Sequence, residues 1–181
     1  DIAIDQNNPS TWYTAVGSGG VWKTTNAGTT WTPIFDDQPV YSIGDVTIAP
    51  SNSNIIWVGT GENNGGRHIS FGDGVYKSVD GGQTWKNMGL SKSEHVSDII
   101  IHPTNPDIVW VSAQGPLWSG GGERGLYKTT DGGETWKQVL TPADKWTGVT
   151  SLLIDPRNPD KLYAATWARQ RSIGAYVGTN E

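Results

Sequence analysis

Two motifs that recur in phase along the chain predict an all-β fold, a β-propeller built from four-stranded antiparallel blades. The first motif ends in Trp, and its copies align without gaps at 20–31, 74–85 and 125–136. The second motif alternates with the first and is followed each time by an aromatic residue, at 4–9, 48–53, 101–106 and 154–159. Both have a period of about fifty residues, and self-similarity at such a period indicates a repeat architecture.

Each repeat contains four short runs with the composition of β-strands. In the second repeat these runs are about 45–49, 55–60, 74–79 and 84–88. Most are rich in β-branched and aromatic residues and are bounded by Gly, Pro, Asn or Asp, and no stretch has a helical period. Four short antiparallel strands repeated radially make a propeller blade. A β-sandwich is the main rival, but it has no reason to repeat one turn sequence three times.

The repeats divide the chain into about three and a half blades. The predicted boundaries are about 1–36, 45–89 and 97–140 for three complete blades and about 149–181 for an incomplete fourth blade. Closed propellers typically need four to eight blades. We therefore expect residues 1–181 to be a partial propeller domain, whose other blades come from the same longer chain or, as the alternative, from another copy.

The first motif predicts a tight turn that ends in a packed ring. Asn26, Asp80 and Asp131 occupy one position, where a side-chain oxygen fixes a turn by accepting a backbone N–H two residues on. Gly then supplies positive φ, and the terminal Trp is expected to be largely buried between sheets. The predicted structural residues are Thr24, Asn26, Gly28, Thr30, Trp31, Ser78, Asp80, Gly82, Thr84, Trp85, Thr129, Asp131, Gly133, Thr135 and Trp136.

Composition excludes several classes of function. The formal net charge is −5 and there is no basic run, so the footprint of a nucleic-acid binder is missing. No apolar run approaches the roughly 18 residues of a membrane span, and the absence of Cys excludes disulfides and thiolate sites. The oxygen spacing of a calcium loop is also missing. We expect no metal site and no cofactor.

The Ser/Thr-x-Asp-x-Gly-x-Thr-Trp turn resembles the Asp-box, or BNR repeat, of sialidases, sortilin and VPS10 domains and xyloglucan hydrolases. Over essentially all of its length the chain resembles bacterial sortilin-like Asp-box propellers, which are often labelled glycosyl hydrolases. Segments 58–63, 113–118 and 162–167 carry the likeness outside the turns. The resemblance implies a seven- or ten-bladed propeller and an extracytoplasmic location. It leaves the activity open, because one fold hosts many functions.

The loops divide between two edges of the predicted sheets. In an antiparallel meander, the first and third loops of each blade share one edge. They hold the short repeated turns and are therefore expected to be structural. The second loops and the links between blades share the other edge. They vary in sequence, and variable loops on a rigid scaffold usually carry function. They comprise 61–73, 114–124, 167–181, 36–44, 89–97 and 141–148.

These variable loops contain the candidate site residues. Aromatic, amide and guanidinium groups suit a sugar or a peptide, and the predicted ligand-binding residues are Asn63, Arg67, His68, Trp118, Arg124, Trp146, Arg169 and Arg171. A glycosidase needs two carboxylates on either side of the scissile bond. The weak catalytic candidates are Glu62, Asp73, Glu94 and Glu123. The arginines alone do not indicate a sialidase, because the companion motifs are missing.

The leading prediction is a binding or scaffold module without chemistry of its own, which presents its long loops to a protein, a peptide or a glycan. The structural turns are complete in three repeats, whereas no catalytic constellation is. One alternative is a glycoside hydrolase of the xyloglucanase type that uses the loop carboxylates. Another is an assembly factor that docks on a larger protein complex.

Overall fold

The protein is described by a computed structural model that covers residues 1–63 and 69–171, and these ranges contain no α-helix. Three sheets have four strands and one has two, all antiparallel and in chain order. Sheet 1 contains β1 (Ile2–Ile4), β2 (Trp12–Val16), β3 (Gly20–Thr24) and β4 (Thr32–Pro33). Sheet 2 contains β5 (Ile43–Ala49), β6 (Asn52–Thr60), β7 (Val75–Ser78) and β8 (Lys86–Asn87). Sheet 3 contains β9 (Val96–Ile101), β10 (Val109–Ala113), β11 (Gly125–Thr129) and β12 (Lys137–Leu140). Sheet 4 contains β13 (Thr147–Asp155) and β14 (Asn158–Ala168).

This arrangement confirms the predicted partial β-propeller. Each of the first three repeats forms one meander of four strands. The first strands of consecutive sheets, β1, β5, β9 and β13, contact one another in order, as the innermost strands of a propeller do. Three apolar clusters lie at the seams between sheets 1 and 2, 2 and 3, and 3 and 4. The core is therefore a series of interfaces between neighbouring sheets, as in other repeat proteins.

The tryptophan at the end of the turn motif fastens its sheet to the preceding one. Trp85 donates its indole N–H to the carbonyl oxygen of Ile34 at 2.7 Å. Trp136 donates in the same way to Met88, also at 2.7 Å. The Trp136 ring meets the Trp57 ring edge-on, with the centroids 5.9 Å apart. Both tryptophans are half-buried, so each combines an apolar contact with a satisfied N–H.

Trp31 holds the same sequence position but is 36% exposed, and the prediction that it is largely buried is wrong. Its ring packs against Trp12 of its own sheet, with centroids 6.5 Å apart. Within the described residues, no sheet precedes sheet 1. Trp31 therefore has no neighbouring sheet to pack on, whereas Trp85 and Trp136 each contact the sheet before their own. Burial of this ring depends on the preceding sheet and not on the motif itself.

A lysine in each of the first two copies of the motif links its sheet to the following sheet. Lys23 donates its Nζ to the carbonyl oxygen of Gly81 in the turn of sheet 2, at 2.8 Å. Lys77 repeats this contact to Gly132 in sheet 3, at 2.9 Å. Lys23 also lies over the Tyr13 ring, 5.3 Å from its centroid. Each of these lysines is therefore held by a cation–π contact in its own sheet and a carbonyl in the next.

Strand register corrects one equivalence between repeats. Tyr13 pairs with Lys23, as Trp57 pairs with Lys77 and Trp110 with Lys128. The residue of sheet 1 that corresponds to Trp57 is therefore Tyr13, and not the neighbouring Trp12 that directly follows the Asn-Pro turn. Tyr13 follows Ile4 at the same distance as Trp57 follows Ile48 and Trp110 follows Ile101. Trp12 corresponds to Ile56 and Val109 and therefore lies on the other face of the sheet.

Aspartates on the innermost strands supply a further contact across the seams. Asp45 on β5 accepts the backbone N–H of Ile99 on β9, at 2.8 Å. Asp98 on β9 accepts the N–H of Leu152 on β13, at 2.7 Å. These carboxylates satisfy backbone donors that the edge of the next sheet presents, so they replace ladder hydrogen bonds between sheets.

Candidate functional site

Backbone hydrogen bonds confirm that the loops separate onto two edges. On one edge, the turn that follows the third strand of a sheet bonds to the turn that follows the first. Gly81 donates to Asn54 and Gly132 donates to Asp107, each at 3.0 Å. We call this the Asp-box edge. On the other edge, the loop after the second strand bonds to the link between sheets, as in the 2.9 Å bond from Gln114 N–H to His95. We call this the long-loop edge.

The Asp-box turns are closed by their own side chains. Asp80 accepts the N–H of Thr84 at 2.9 Å, the Thr84 hydroxyl at 2.6 Å and the Ser78 hydroxyl at 2.7 Å. Asp131 makes the same set with Thr135 and Thr129. These donors hold the pKa of both carboxyl groups well below the usual range. The oxygens of both aspartates are therefore engaged by donors of the turn itself.

Three of the four candidate acids also accept hydrogen bonds from neighbouring groups. Glu62 is buried and accepts the Ser18 hydroxyl at 2.7 Å. Asp73 accepts the Tyr76 hydroxyl at 2.7 Å. Glu123 accepts the backbone N–H of Lys92 at 2.8 Å. The partners of Glu62 and Glu123 lie in other loops of the long-loop edge, which shows that this edge is cross-linked by its acidic residues.

Glu94 differs from the other three candidates. It has a left-handed backbone with φ 60°, a conformation that costs energy for a residue with a side chain and often marks a functional site. The residue is half-buried, and this burial raises the pKa of its carboxyl group, partly offset by the charge of Arg124. A raised pKa is the property that a carboxyl group needs to act as a general acid near neutral pH.

Arg124 organises the loop of residues 114–124. Its guanidinium is buried and donates to five backbone carbonyl oxygens, those of Gln114, Pro116, Ser119, Gly121 and Trp146. All of its donor nitrogens thus contact the protein itself. These contacts favour a structural role for Arg124 over the predicted ligand contact.

A second group of buried polar residues continues around the long-loop edge. His95 contacts the Glu62 carbonyl through Nδ1 at 2.9 Å, and burial lowers the pKa of His95 to about 4. The ring is therefore neutral at pH 7, and its Nδ1–H donates to this carbonyl. Arg169 donates to the Gln114 side-chain oxygen at 3.0 Å. Arg171 is also buried and donates its backbone N–H to Leu117.

Three tryptophans belong to the same segments of the chain as these arginines, and we call Trp118, Trp146 and Trp167 the tryptophan patch. Trp118 is 55% exposed. Trp146 is half-buried, and its carbonyl oxygen accepts hydrogen bonds from Arg124 and Arg169. Trp167 is also exposed, and the Arg169 guanidinium lies 5.2 Å from its ring centroid. The structure thus brings together two predicted ligand-binding tryptophans and adds Trp167.

An apolar groove of about 340 Å³ lies at the other end of this edge. We call it the aromatic slot, and it is lined by Pro39, Val40, Tyr41, Ser42, Ile69, Ser70 and Phe71. Tyr41 is 61% exposed and Phe71 is 69% exposed. Neither is among the ligand-binding residues predicted from the sequence. The available signal was an aromatic residue in a variable segment, which does not by itself distinguish an exposed ring from a buried one.

Some predictions fall outside the structure or concern groups that it does not contain. Arg67 and His68 lie outside the described residues. Within 1–63 and 69–171, no three His, Cys, Asp or Glu side chains are grouped so that they could hold a metal ion. The same ranges contain no helix that is long and apolar enough to cross a membrane.

Comparison with known families gives a match over more than half of the chain. The family Sortilin-Vps10, described as "Sortilin, neurotensin receptor 3", matches residues 73–181. This range contains two of the three Asp-boxes and the whole tryptophan patch. The match confirms the resemblance to sortilin-like Asp-box propellers that the turn motif predicts.

Individual relatives are similar to the chain at low identity. A xyloglucanase of Paenibacillus sp is 25% identical over 184 residues, which cover 99% of this chain and 17% of the relative. An ancestral GH74 enzyme superposes with a TM-score of 0.73 at 21% identity, covering 91% of this chain and 21% of that one. The GH74 xyloglucanase from Xanthomonas campestris gives 0.70 at 21% identity, covering 93% and 26%. The two structures show the fold alone.

The chain spans about a fifth of the length of these proteins. Relatives that are named as xyloglucanases make a glycoside hydrolase plausible, whereas the expected absence of chemistry finds no support among them.

Proposed function

The chain belongs to the Sortilin-Vps10 family, and on this premise we propose that it is a section of a glycan-acting propeller whose long-loop edge contacts a polysaccharide. Xyloglucan is the first substrate to consider, since the named relatives are xyloglucanases. The proposal covers binding by this section. Hydrolysis is proposed for the longer protein, of which this section forms part of the substrate-contacting surface.

The position of exposed aromatic side chains carries the proposal. Six aromatic residues of the described chain are exposed, and three belong to loops of the long-loop edge: Tyr41, Phe71 and Trp118. The other three, Trp31, Tyr163 and Trp167, lie on the uncovered sides of sheets 1 and 4. The C–H faces of a pyranose stack on such rings, and a flat exposed indole gives a large contact at small entropic cost.

The carboxylates of the same edge support a hydrolytic role for the longer protein. Glycoside hydrolysis needs one carboxyl group that remains protonated near neutral pH to act as the general acid. Burial raises the pKa of the Glu94 carboxyl group, which is the direction that a general acid requires. Glu94 is therefore the proposed acid among the four candidates.

An extracytoplasmic location is part of the same proposal. A polysaccharide is too large to enter a cell intact, so a protein that contacts one through an open surface has to work outside the cytoplasm. The protein and peptide partners expected from the sequence remain predictions, as do the blade boundaries.

The proposal predicts retardation of the chain by xyloglucan. In native gels cast with tamarind xyloglucan, the wild-type chain should migrate more slowly than in gels without polysaccharide. Trp118→Ala should lose about two- to thirteenfold in affinity, because a stacked aromatic contact contributes about 0.5–1.5 kcal/mol. Tyr163→Ala is the matched control, since Tyr163 is 53% exposed but lies away from the long-loop edge. Equal migration of the wild type with and without xyloglucan would contradict the proposal.

A further inference from the structure

A second, smaller pocket adjoins the aromatic slot. We call it the glutamate pocket, with a volume of about 220 Å³ and a lining of Asp1, Ala15, Gly17, Ile43, Gly44, Glu62 and Asn63. Glu62 and Asn63 supply side-chain polar groups from the loop that follows β6. Gly17 and Gly44 contribute backbone to this lining, and a Cβ on Gly44 would overlap the Val96 carbonyl oxygen.

Ser42 joins the two cavities. Its hydroxyl donates to the Ser70 carbonyl at 2.7 Å and accepts the N–H of Glu62 at 3.0 Å. Ser42 and Ser70 line the aromatic slot, whereas Glu62 and the adjacent Ile43 line the glutamate pocket. A hydrogen-bonded bridge of three residues therefore separates the slot from the pocket, and both lie on the long-loop edge at the seam between sheets 1 and 2.

The Glu62 carboxylate is held in a fixed position. It is 5% exposed, and the Ser18 hydroxyl of sheet 1 donates to its Oε1 at 2.7 Å. A Cβ placed on Gly17 would lie 3.1 Å from the Glu62 Cδ, so the Gly17 backbone packs directly against the carboxyl group and helps to fix its position. A buried, oriented carboxylate is a strong acceptor for ligand hydroxyl groups, because charge-assisted hydrogen bonds are about twice as strong as neutral ones.

The two cavities offer complementary chemistry at adjacent positions. The slot presents two exposed rings, Tyr41 and Phe71, to an apolar face. The pocket presents Glu62 and Asn63 to hydroxyl groups. The slot volume of about 340 Å³ falls within the roughly 300–1,000 Å³ of small-molecule sites, which are mostly apolar with a few fixed polar groups.

Resting on the proposed function, we propose that the aromatic slot and the glutamate pocket bind two consecutive residues of a neutral glycan. One ring stacks against Tyr41 and Phe71, and the next donates hydroxyl groups to Glu62. A uronic acid is disfavoured in the pocket, because its carboxylate would lie beside the carboxyl groups of Asp1 and Glu62. The Asp1 ammonium group, which also reaches this pocket, donates to the Ala15 carbonyl oxygen at 3.0 Å. The pair of cavities thus selects for uncharged sugars, and the tryptophan patch contacts the glycan at a separate position.

The test is calorimetric titration of the 181-residue chain with a xyloglucan heptasaccharide and with trigalacturonate. The wild type should bind the heptasaccharide and not the uronic acid trimer. Tyr41→Ala and Glu62→Gln should each weaken heptasaccharide binding about tenfold. Tyr163→Ala is the matched tyrosine control and should leave it unchanged. Because Tyr41 is exposed, its variant retains the fold and keeps the proposal testable even if Glu62→Gln, at a buried site, does not fold.

The outcomes separate this inference from the proposed function. Heptasaccharide binding that survives both Tyr41→Ala and Glu62→Gln but is lost in Trp118→Ala would overturn the inference and leave the proposed function standing. Equal affinity for trigalacturonate and the heptasaccharide would overturn the selection for neutral sugars. A wild-type chain that binds neither the heptasaccharide nor xyloglucan would overturn the proposed function together with the inference.

Discussion

The Asp-box edge and the long-loop edge belong to the same sheets but differ in whether their contacts recur from one seam to the next. On the Asp-box edge, each contact recurs from one seam to the next: Trp85 repeats in Trp136 and Lys23 repeats in Lys77. On the long-loop edge, contacts are individual, such as the five carbonyls around Arg124 or the bridge through Ser42. A repeated contact holds the sheets together, whereas an individual contact shapes one surface. The comparison assigns stability to the first edge and recognition to the second.

The largest expected effect breaks a repeated contact. Trp136→Ala should lower the free energy of unfolding by about 2–4 kcal/mol, because it removes a ring packed on Trp57 and a hydrogen bond to Met88. Trp31→Ala, at the same motif position, should cost about 1 kcal/mol or less, because Trp31 is exposed. Urea unfolding of the two variants measures the difference. Equal losses would show that the seam contact is not what makes this tryptophan stabilising.

A smaller effect concerns the charge inside a seam. Burial raises the pKa of Asp45 to about 7, against the lowering effect of the N–H that Ile99 donates, and the nearby Asp98 raises it further. The folded state therefore keeps the proton to higher pH than the unfolded state, whose aspartate titrates near pH 4. Between about pH 4 and pH 7 the unfolded state binds fewer protons, so the contribution of Asp45 to stability falls as the pH rises.

Asp45→Asn isolates this contribution. The variant retains an oxygen for the Ile99 N–H but does not titrate. The unfolding free energy of the wild type relative to Asp45→Asn should fall as the pH rises from about 4 to about 7, because the unfolded aspartate loses its proton first. It should be constant above pH 8. A difference that does not vary with pH would contradict the raised pKa.

The smallest effect comes from backbone geometry in one turn. Ala27 has φ 53° at the position where the other two Asp-boxes have Gly81 with φ 73° and Gly132 with φ 71°. Ala27→Gly should stabilise the chain by about 0.5 kcal/mol, since relief of the left-handed strain exceeds the added freedom of the unfolded glycine. Gly81→Ala is the reverse control and should destabilise. Thermal unfolding checks both, and a loss of stability in Ala27→Gly would contradict this view of the turn.

Much of the fold could be predicted from the sequence because the repeats supply the same evidence three times. For the second blade, the predicted runs 45–49 and 55–60 lie within the observed Ile43–Ala49 and Asn52–Thr60. The hydrogen bonds of Asp80 and Asp131 also follow from the turn motif. These features depend on residues close in sequence, which a motif specifies.

Features that depend on a neighbouring sheet could not be predicted in the same way. The exposure of Trp31 is set by what lies beside sheet 1, and the role of Asp45 is set by an N–H 54 residues away. The sequence did contain an indication of the role of Asp45, because Asp45 and Asp98 hold equivalent positions on the innermost strands. The candidate site was predicted at the level of an edge. Arg124 is buried by loop contacts and Trp118 is exposed. This difference arises only when the loops pack together, so the sequence did not show it.

The most direct test of the account compares one tryptophan from each edge. Unfolding free energy and xyloglucan affinity should be measured side by side for Trp136→Ala and Trp118→Ala. The account predicts that Trp136→Ala loses stability while its folded fraction keeps wild-type affinity. It predicts that Trp118→Ala, at an exposed position, changes stability by less than about 0.5 kcal/mol but loses affinity. If the exposed Trp118 carried stability, or the seam residue Trp136 carried affinity, the division between the two edges would be wrong.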